Sequence, residues 1–289
     1  MQIIRDKASL SNFIRQKKRE GLTLGFVPTM GALHEGHISL IRASQKAGDD
    51  LTICSIFVNP TQFNNPEDFA KYPNKEKEDI ELLSKVGCHL LFMPSVNEMY
   101  PENNGKNSLK MNFGMLEASM EGAFRPGHFN GVALIVSKLF HLVQPDRAYF
   151  GQKDLQQCRI VQKLVNDLLF PIEIVICPIL RESDGLAMSS RNLRLTPHER
   201  KIASKIYEAL LLTRKKLKEG FSVQESQNEG INFLRQYSDF KLEYLELVHW
   251  HTLETVDREK LLSEGVICIA VHLGNVRLID NLLINESGI

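Results

Sequence analysis

The sequence predicts an α/β protein, a doubly wound parallel sheet followed by a smaller α+β unit. Over the first 180 residues, short apolar runs alternate with segments of helical periodicity. The runs at 51–58 (LTICSIFV) and 172–179 (IEIVICPI) are apolar at nearly every position, as strands covered on both faces must be. After residue 180 the strand-like segments 265–273 and 275–278 follow one another with no helix between, which signals antiparallel pairing. The expected division is a Rossmann-like domain over 1–179 and a smaller α+β domain over 180–289.

Each element has its own signal. Residues 22–29 (LTLGFVPT) read as a strand ending at Val27-Pro28. Residues 37–48 place Ile38, Leu40, Ile41 and Ala43 at helical spacing, with Gly48 as the terminating glycine. A charged amphipathic helix over 75–86 stops at Gly87, and 89–93 is a short strand before Pro94. Residues 131–143 (GVALIVSKLFHLV) form an apolar helix, 147–150 a strand, and 154–169 a helix stopped by Pro171. Residues 197–218 predict one long basic helix, with Thr196 as N-cap, Pro197 in the first turn and Glu199 completing a capping box. A weaker helix over 222–236 and a strand over 241–249 complete the set. Ligands in such sheets bind at the carboxyl ends of strands, so the loops after Val27, Val58, Phe150 and Ile179 are where chemistry is expected.

Composition removes several function classes. Of 289 residues, 35 are Lys or Arg and 35 are Asp or Glu, so the formal net charge is zero. A protein held by nucleic-acid phosphates carries a basic excess, so no nucleic-acid partner is expected. Five cysteines, an odd number with no CxxC pair, argue against a disulfide framework or zinc ribbon and for a reduced, cytoplasmic protein. No apolar stretch approaches the ~20 residues that span a bilayer, and the start MQIIRDKASLSNFIRQKKREG lacks a signal peptide's apolar core. No membrane partner is expected.

The first loop, 27–37, reads VPTMGALHEGH. His34 and His37 stand three residues apart at a helix start, where unpaired backbone N–H groups and a positive dipole end suit phosphate oxygens. If protonated, the imidazoles would also neutralise charge that builds as a phosphoryl bond breaks. Gly31 and Gly36 let the backbone approach a ligand closely. The spacing is not HExxH, and neither GxGxxG nor GxxxxGK[ST] is present, so zinc hydrolysis, Rossmann dinucleotide binding and P-loop chemistry lose support. HEGH after a first strand resembles the "HIGH" signature of the nucleotidyltransferase superfamily and class I aminoacyl-tRNA synthetases. The longer string PTMGALHEGH resembles the pantothenate synthetase (pantoate–β-alanine ligase) family.

Four further blocks follow in that family's order. FVNPTQF at 57–63 offers the amides of Asn59 and Gln62 to a small hydroxylated acid, or marks a turn. The long irregular stretch 59–74 resembles the family's flap over the active site. Tyr72-Pro73 followed by Glu78-Asp79 is similar to YPR…DD, whose carboxylates lie near magnesium; a solvated helix face is the competing reading. YFGQKDLQQ at 149–157 is similar to FGEKD-x-QQ, with Gln152 at the usual glutamate position and expected at the periphery. RESDGLAMSSRN at 181–192 resembles the mobile "KMSKS" loop that closes on ATP, and Arg125 and His128 in FRPGHFNG match RPxHFxGV.

The resemblance implies ATP-dependent condensation of pantoate with β-alanine to give pantothenate, AMP and pyrophosphate through a pantoyl adenylate. It implies catalytic roles for His34, His37, Lys153 and Arg191. ATP contacts would come from Met30, Gly31, Ala32, Leu33, His34, Glu35, Gly36 and His37, and from Gly151, Gln152, Lys153 and Asp154. Leu180, Met188, Ser189, Ser190 and Arg191 would complete them, with Leu180 and Met188 meeting adenine through their backbones. Gln62, Gln157, Asn59, Pro28 and Thr29 would hold pantoate or β-alanine, and Glu78 and Asp79 would lie at Mg2+. It further implies a homodimer and a C-terminal domain that closes over the ATP site. Rival readings are another adenylyl- or cytidylyltransferase of the superfamily, a synthetase-like RNA binder, and a non-catalytic nucleotide sensor on the same fold.

Overall fold

The computed structural model describes residues 1–64, 69–70, 72–102 and 108–285. Positions 65–68 and 71 of the expected flap lie outside the described residues. The chain divides into two compact units: Met1–Gly151 with Ile160–Pro178, and Gln152–Arg159 with Ile179–Ile289.

The first unit carries an all-parallel sheet of β1 (Gln2–Ile4), β2 (Leu24–Thr29), β3 (Leu51–Ile56), β4 (Leu90–Phe92), β5 (Arg147–Gly151) and β6 (Glu173–Cys177). Their order is β1-β4-β3-β2-β5-β6. The helices are α1 (Lys7–Arg19), α2 (Glu35–Lys46), α3 (Glu76–Lys85), α4 (Val96–Met99), α5 (Met120–Phe124), α6 (His128–Val143) and α7 (Leu155–Asp167). The first five residues of α7 group with the second unit. Adjacent residues point to opposite faces of a strand, yet Phe26 and Val27, Ile53 and Cys54, and Leu90 and Leu91 are all buried. Both faces of the central strands are therefore covered, as their unbroken apolar runs predicted. The expectation fails for β6, which is an edge strand and only half-buried over Ile174–Ile176.

The chain winds outward from β2 in one direction and returns to start β5 on the other side, so β2 and β5 flank the topological switch point. Their pairing is confined to Gly25–Phe26 against Arg147–Ala148. Beyond it the pairing of the two strands ends, before the first loop and Gly151 leave the sheet.

The second unit holds an antiparallel sheet of β7 (Phe240–His249), β8 (Gly265–Leu273) and β9 (Val276–Leu283), in that order. With it go α8 (Pro197–Ile202), α9 (Lys205–Lys218), α10 (Val223–Arg235) and α11 (Arg258–Glu264). Leu210, Leu217, Leu234, Leu245, Ile267 and Ile269 form its core. Two expectations change here. The single helix over 197–218 breaks at Ala203-Ser204, where the N–H groups of Ile206 and Tyr207 bond back three residues, to Ala203 and Ser204, instead of four. The last strand runs to Leu283, not 278. Asp280 and Asn281 oppose strand formation by propensity, but both are buried on specific partners.

Candidate active site

The first loop is built around one carboxylate. Gly31 (φ +84°) and Ala32 (φ +50°) are consecutive left-handed residues. A Cβ on Gly31 would sit 3.0 Å from Ile56 Cγ2 and 3.1 Å from Asp79 Oδ2, so both backbone and space demand glycine. The turn aims the N–H groups of Ala32 and Leu33 at Asp79, which accepts them at 2.8 and 2.7 Å. Asp79 is buried, and burial pushes its carboxyl above the usual range while the two N–H bonds pull back. Each of its oxygens is engaged by the loop, so Asp79 is not part of a solvated helix face. Glu78 is exposed, and no group of three ligating His, Cys, Asp or Glu side chains occurs among the described residues.

Helix α2 starts at Glu35, earlier than the sequence indicated, because its cap is a histidine. His34 Nδ1 accepts the N–H of Gly36 at 3.1 Å, and His37 Nδ1 accepts the N–H of His34 at 3.3 Å, completing a capping box. The rings lie 4.1 Å apart, tilted by 43°. A ring nitrogen that accepts an N–H carries no proton, so each neutral imidazole keeps its proton on Nε2. Two Nε2–H donors thus stand at the helix N-terminus.

Behind β3, Gln62 closes the single turn Pro60–Gln62. Asn59 is almost wholly buried: its Nδ2 donates to Gln62 Oε1 and to the Gly131 carbonyl, both at 3.0 Å, and its Oδ1 accepts Tyr100 Oη at 2.8 Å. Asn59 thus holds Gln62 in place. Gln62 Nε2 reaches Met30 Sδ at 3.1 Å. The Gln62 carbonyl meets His128 Nδ1 at 2.8 Å and Arg125 Nη2 at 3.4 Å, which gives both residues of the RPGHF segment a shared task. Pro28 and Thr29 end β2, and the Thr29 hydroxyl donates to the Ser55 carbonyl at 2.7 Å.

The remaining predicted residues lie on the second unit, apart from Gly151, which ends β5 in the first. Beyond its chain neighbours, no atom of the described residues lies within 4 Å of where a Cβ on Gly151 would be. Lys153 and Asp154 form the single turn Gln152–Asp154, with Lys153 Nζ 3.5 Å from Asp154 Oδ2, and Gln157 follows in the first turn of α7. Gln152 is not peripheral: it is buried, and its Nε2 donates to Asn281 Oδ1 at 2.9 Å. The 181–192 loop opens as a hairpin in which the Met188 N–H bonds to the Leu180 carbonyl at 3.0 Å, so those two groups are paired with each other. Ser189 Oγ accepts the Arg191 N–H at 3.3 Å and caps the turn Ser190–Arg194; Ser190 is buried and Arg191 half-buried. Sequence reasoning missed Arg181, Asp280 and Asn281. No local signal marked them, since Asp280 and Asn281 oppose strand formation and their burial appears only in the fold.

A helix start with paired imidazoles, after the first central strand of a doubly wound sheet, is the arrangement of a HIGH-type nucleotide-using enzyme. A family model described as Pantoate-beta-alanine ligase matches residues 2–283. Pantothenate synthetase of Cytophaga hutchinsonii is 50% identical over 272 residues, 94% of this chain and 95% of that protein. The crystal structure of pantothenate synthetase from Thermus thermophilus aligns with TM-score 0.91 at 42% identity, over 99% of this chain and 100% of that one. Pantoate-beta-alanine ligase from Francisella tularensis, solved with "Beta-gamma ATP and Beta-alanine", gives TM-score 0.81 at 37% identity, over 100% and 99%. The chain belongs to the pantoate–β-alanine ligase family. It is an ATP-dependent ligase that forms pantothenate from pantoate and β-alanine.

Proposed function

We propose that the condensation runs through a pantoyl adenylate. A pantoate carboxylate oxygen attacks the α-phosphorus of ATP, and the bond to pyrophosphate breaks. The amine of β-alanine then attacks the acyl carbon, the acyl–phosphate bond breaks, AMP leaves, and the nitrogen loses a proton as the amide forms. Neither step needs a protein nucleophile; positioning and charge stabilisation supply the rate.

The observation that carries this reading is the pair of Nε2–H donors at the start of α2. His34 and His37 act on the phosphates, with His37 as proton donor, together with Lys153, Ser189, Ser190 and Arg191. Gln62 and Gln157 hold pantoate, and Gln62, pinned by Asn59 and His128, also meets β-alanine. Gly151 and Asp154 face ribose, and the Met188 carbonyl and Leu180 N–H serve adenine. With the Asp79 oxygens bonded to backbone amides, the described residues offer no ready protein cage for Mg2+. Magnesium travels with the triphosphate in this reading, and no step is routed through it.

We also propose a cytoplasmic homodimer whose residues 180–289 close on bound ATP. All five thiols are buried and none is in a disulfide, which suits a reducing compartment, and no described helix is long and apolar enough to cross a membrane. The dimer rests on the family resemblance alone. Slower proteolysis within 181–192 when ATP is present would support closure.

The deciding experiment measures pyrophosphate release with Mg-ATP and pantoate, with and without β-alanine. Stoichiometric release with pantoate alone, becoming catalytic with β-alanine, is expected. No release until β-alanine is added would overturn the adenylate route.

A further inference from the structure

Two adjacent residues of β9 contact both segments that carry the second unit's proposed phosphate ligands. Asn281 is 2% exposed. Its Nδ2 donates to the carbonyls of Gln152 at 2.9 Å and Lys153 at 3.1 Å, and its Oδ1 accepts Gln152 Nε2 at 2.9 Å. Both amide protons and the oxygen are thereby used, so the side chain has one orientation and the Gln152–Asp154 turn has one position against it. Asp280 is 4% exposed and grips Arg181 through both oxygens, at 2.6 and 3.1 Å. Arg181 also donates to the Asn281 and Gly185 carbonyls, at 3.1 Å each, and its guanidinium lies 3.8 Å from the Tyr207 ring centroid. Gly185 (φ +92°) turns the hairpin, and a Cβ there would fall 2.5 Å from Tyr207 Cδ1. The Asn281 N–H donates to Asp280 Oδ1 at 2.7 Å, joining the two grips into one network.

Such a network is far more elaborate than an edge strand needs for stability. A buried, charged pair inside a strand is a weak source of stability, and apolar residues would fill the same space at less free-energy cost. What it does supply is register: one face of β9 fixes the turn that carries Lys153, and the next residue fixes the first residue of the loop that ends in Ser189, Ser190 and Arg191.

We propose that Asp280 and Asn281 are positioning residues that set the phosphate-binding turn at Lys153 and the 181–192 loop in mutual register. The proposal rests on the reading that Lys153 and Ser189–Arg191 bind ATP phosphates. It predicts that loss of the Asn281 amide weakens ATP and leaves pantoate alone, because the turn would shift while every proposed phosphate ligand stayed in the chain.

The test compares Asn281→Ala, Lys153→Ala and the double variant, with steady-state KM for each substrate and ATP affinity measured on folded protein. Asn281→Ala should raise the KM for ATP by about tenfold and that for pantoate by less than about twofold. In the Lys153→Ala background the same substitution should change ATP affinity far less, since the group it positions is gone. Gln152→Met removes a single bond of the network and should give a smaller rise of the same kind, which keeps the idea testable if Asn281→Ala folds poorly. Equal rises for ATP and pantoate, a fall only in the active fraction, or additive effects in the double variant would overturn the proposal. If Lys153→Ala itself leaves ATP affinity unchanged, the phosphate-site reading is wrong, and the proposal falls with it.

Discussion

The backbone N–H of His34 donates to Nδ1 of His37, so the second histidine of HEGH caps the first. An Nδ1 that accepts an N–H leaves Nε2 of a neutral His37 as the donor. His37→Ala removes that donor and half of the capping box. The expected loss is about 2–4 kcal/mol of transition-state stabilisation in adenylation, roughly 30- to 1,000-fold in rate. Single-turnover transfer of AMP to pantoate reads it directly, and an unchanged rate would sink the assignment.

Gln62 faces a different measurement. Its amide is held from behind by Asn59 and its carbonyl by His128, which is how a residue is prepared to orient a small acid. Gln62→Ala should raise the KM for pantoate more than that for ATP. The opposite ranking in initial-rate kinetics would mean that the pockets have been exchanged.

Gly151 separates ligand from fold. Its φ lies outside the left-handed region, and among the described residues a Cβ there would touch nothing beyond its chain neighbours, so their packing does not require glycine. Gly151→Ala should therefore change unfolding free energy by no more than about 0.5 kcal/mol. If ribose packs against this position, the KM for ATP rises while stability holds. A normal KM for ATP would move ribose elsewhere.

Asp79→Asn tests the clamp on the first loop. An amide offers one acceptor where the carboxylate offers two, so one of the Ala32 and Leu33 N–H groups loses its partner, costing about 1–3 kcal/mol. Burial raises the folded-state pKa of Asp79 above the unfolded value, so the native state binds that proton more tightly. This carboxyl therefore penalises folding at neutral pH, and the penalty shrinks as pH falls through the raised pKa. The wild type should gain stability relative to Asp79→Asn on acidification from pH 7, in urea titrations at each pH. A constant difference would show that Asp79 does not titrate there.

The central sheet was legible because covered parallel strands leave unbroken apolar runs, and Val27, Cys54 and Leu91 sit where those runs put them. The helix cap was less so: capping preferences favour Ser, Thr, Asp and Asn, and nothing local marks His34 as the residue that takes the Gly36 N–H. Asp79 illustrates a further limit. Its partners Ala32 and Leu33 lie more than 40 positions away in sequence, so an acidic residue in a charged helix reads as solvated until the fold buries it. Asp280 and Asn281 were hidden for the same reason, inside a strand that local preference cuts short. Gly31 reads from the sequence as a close-approach glycine, although its immediate neighbours in space are Ile56 and Asp79.

The grip of Asn281 on the Gln152–Asp154 turn has a consequence for synthesis on the ribosome. The parallel sheet has all its strands once Cys177 has emerged, but the turn bearing Lys153 lacks its anchor until about a hundred further residues are made, roughly 5–20 s later. A nonsense codon shortly before position 280 would spare every side chain proposed to touch ATP and still leave that turn without its anchor. On that proposal, nucleotide binding waits on β9, which is translated about a hundred residues after the last strand of the parallel sheet.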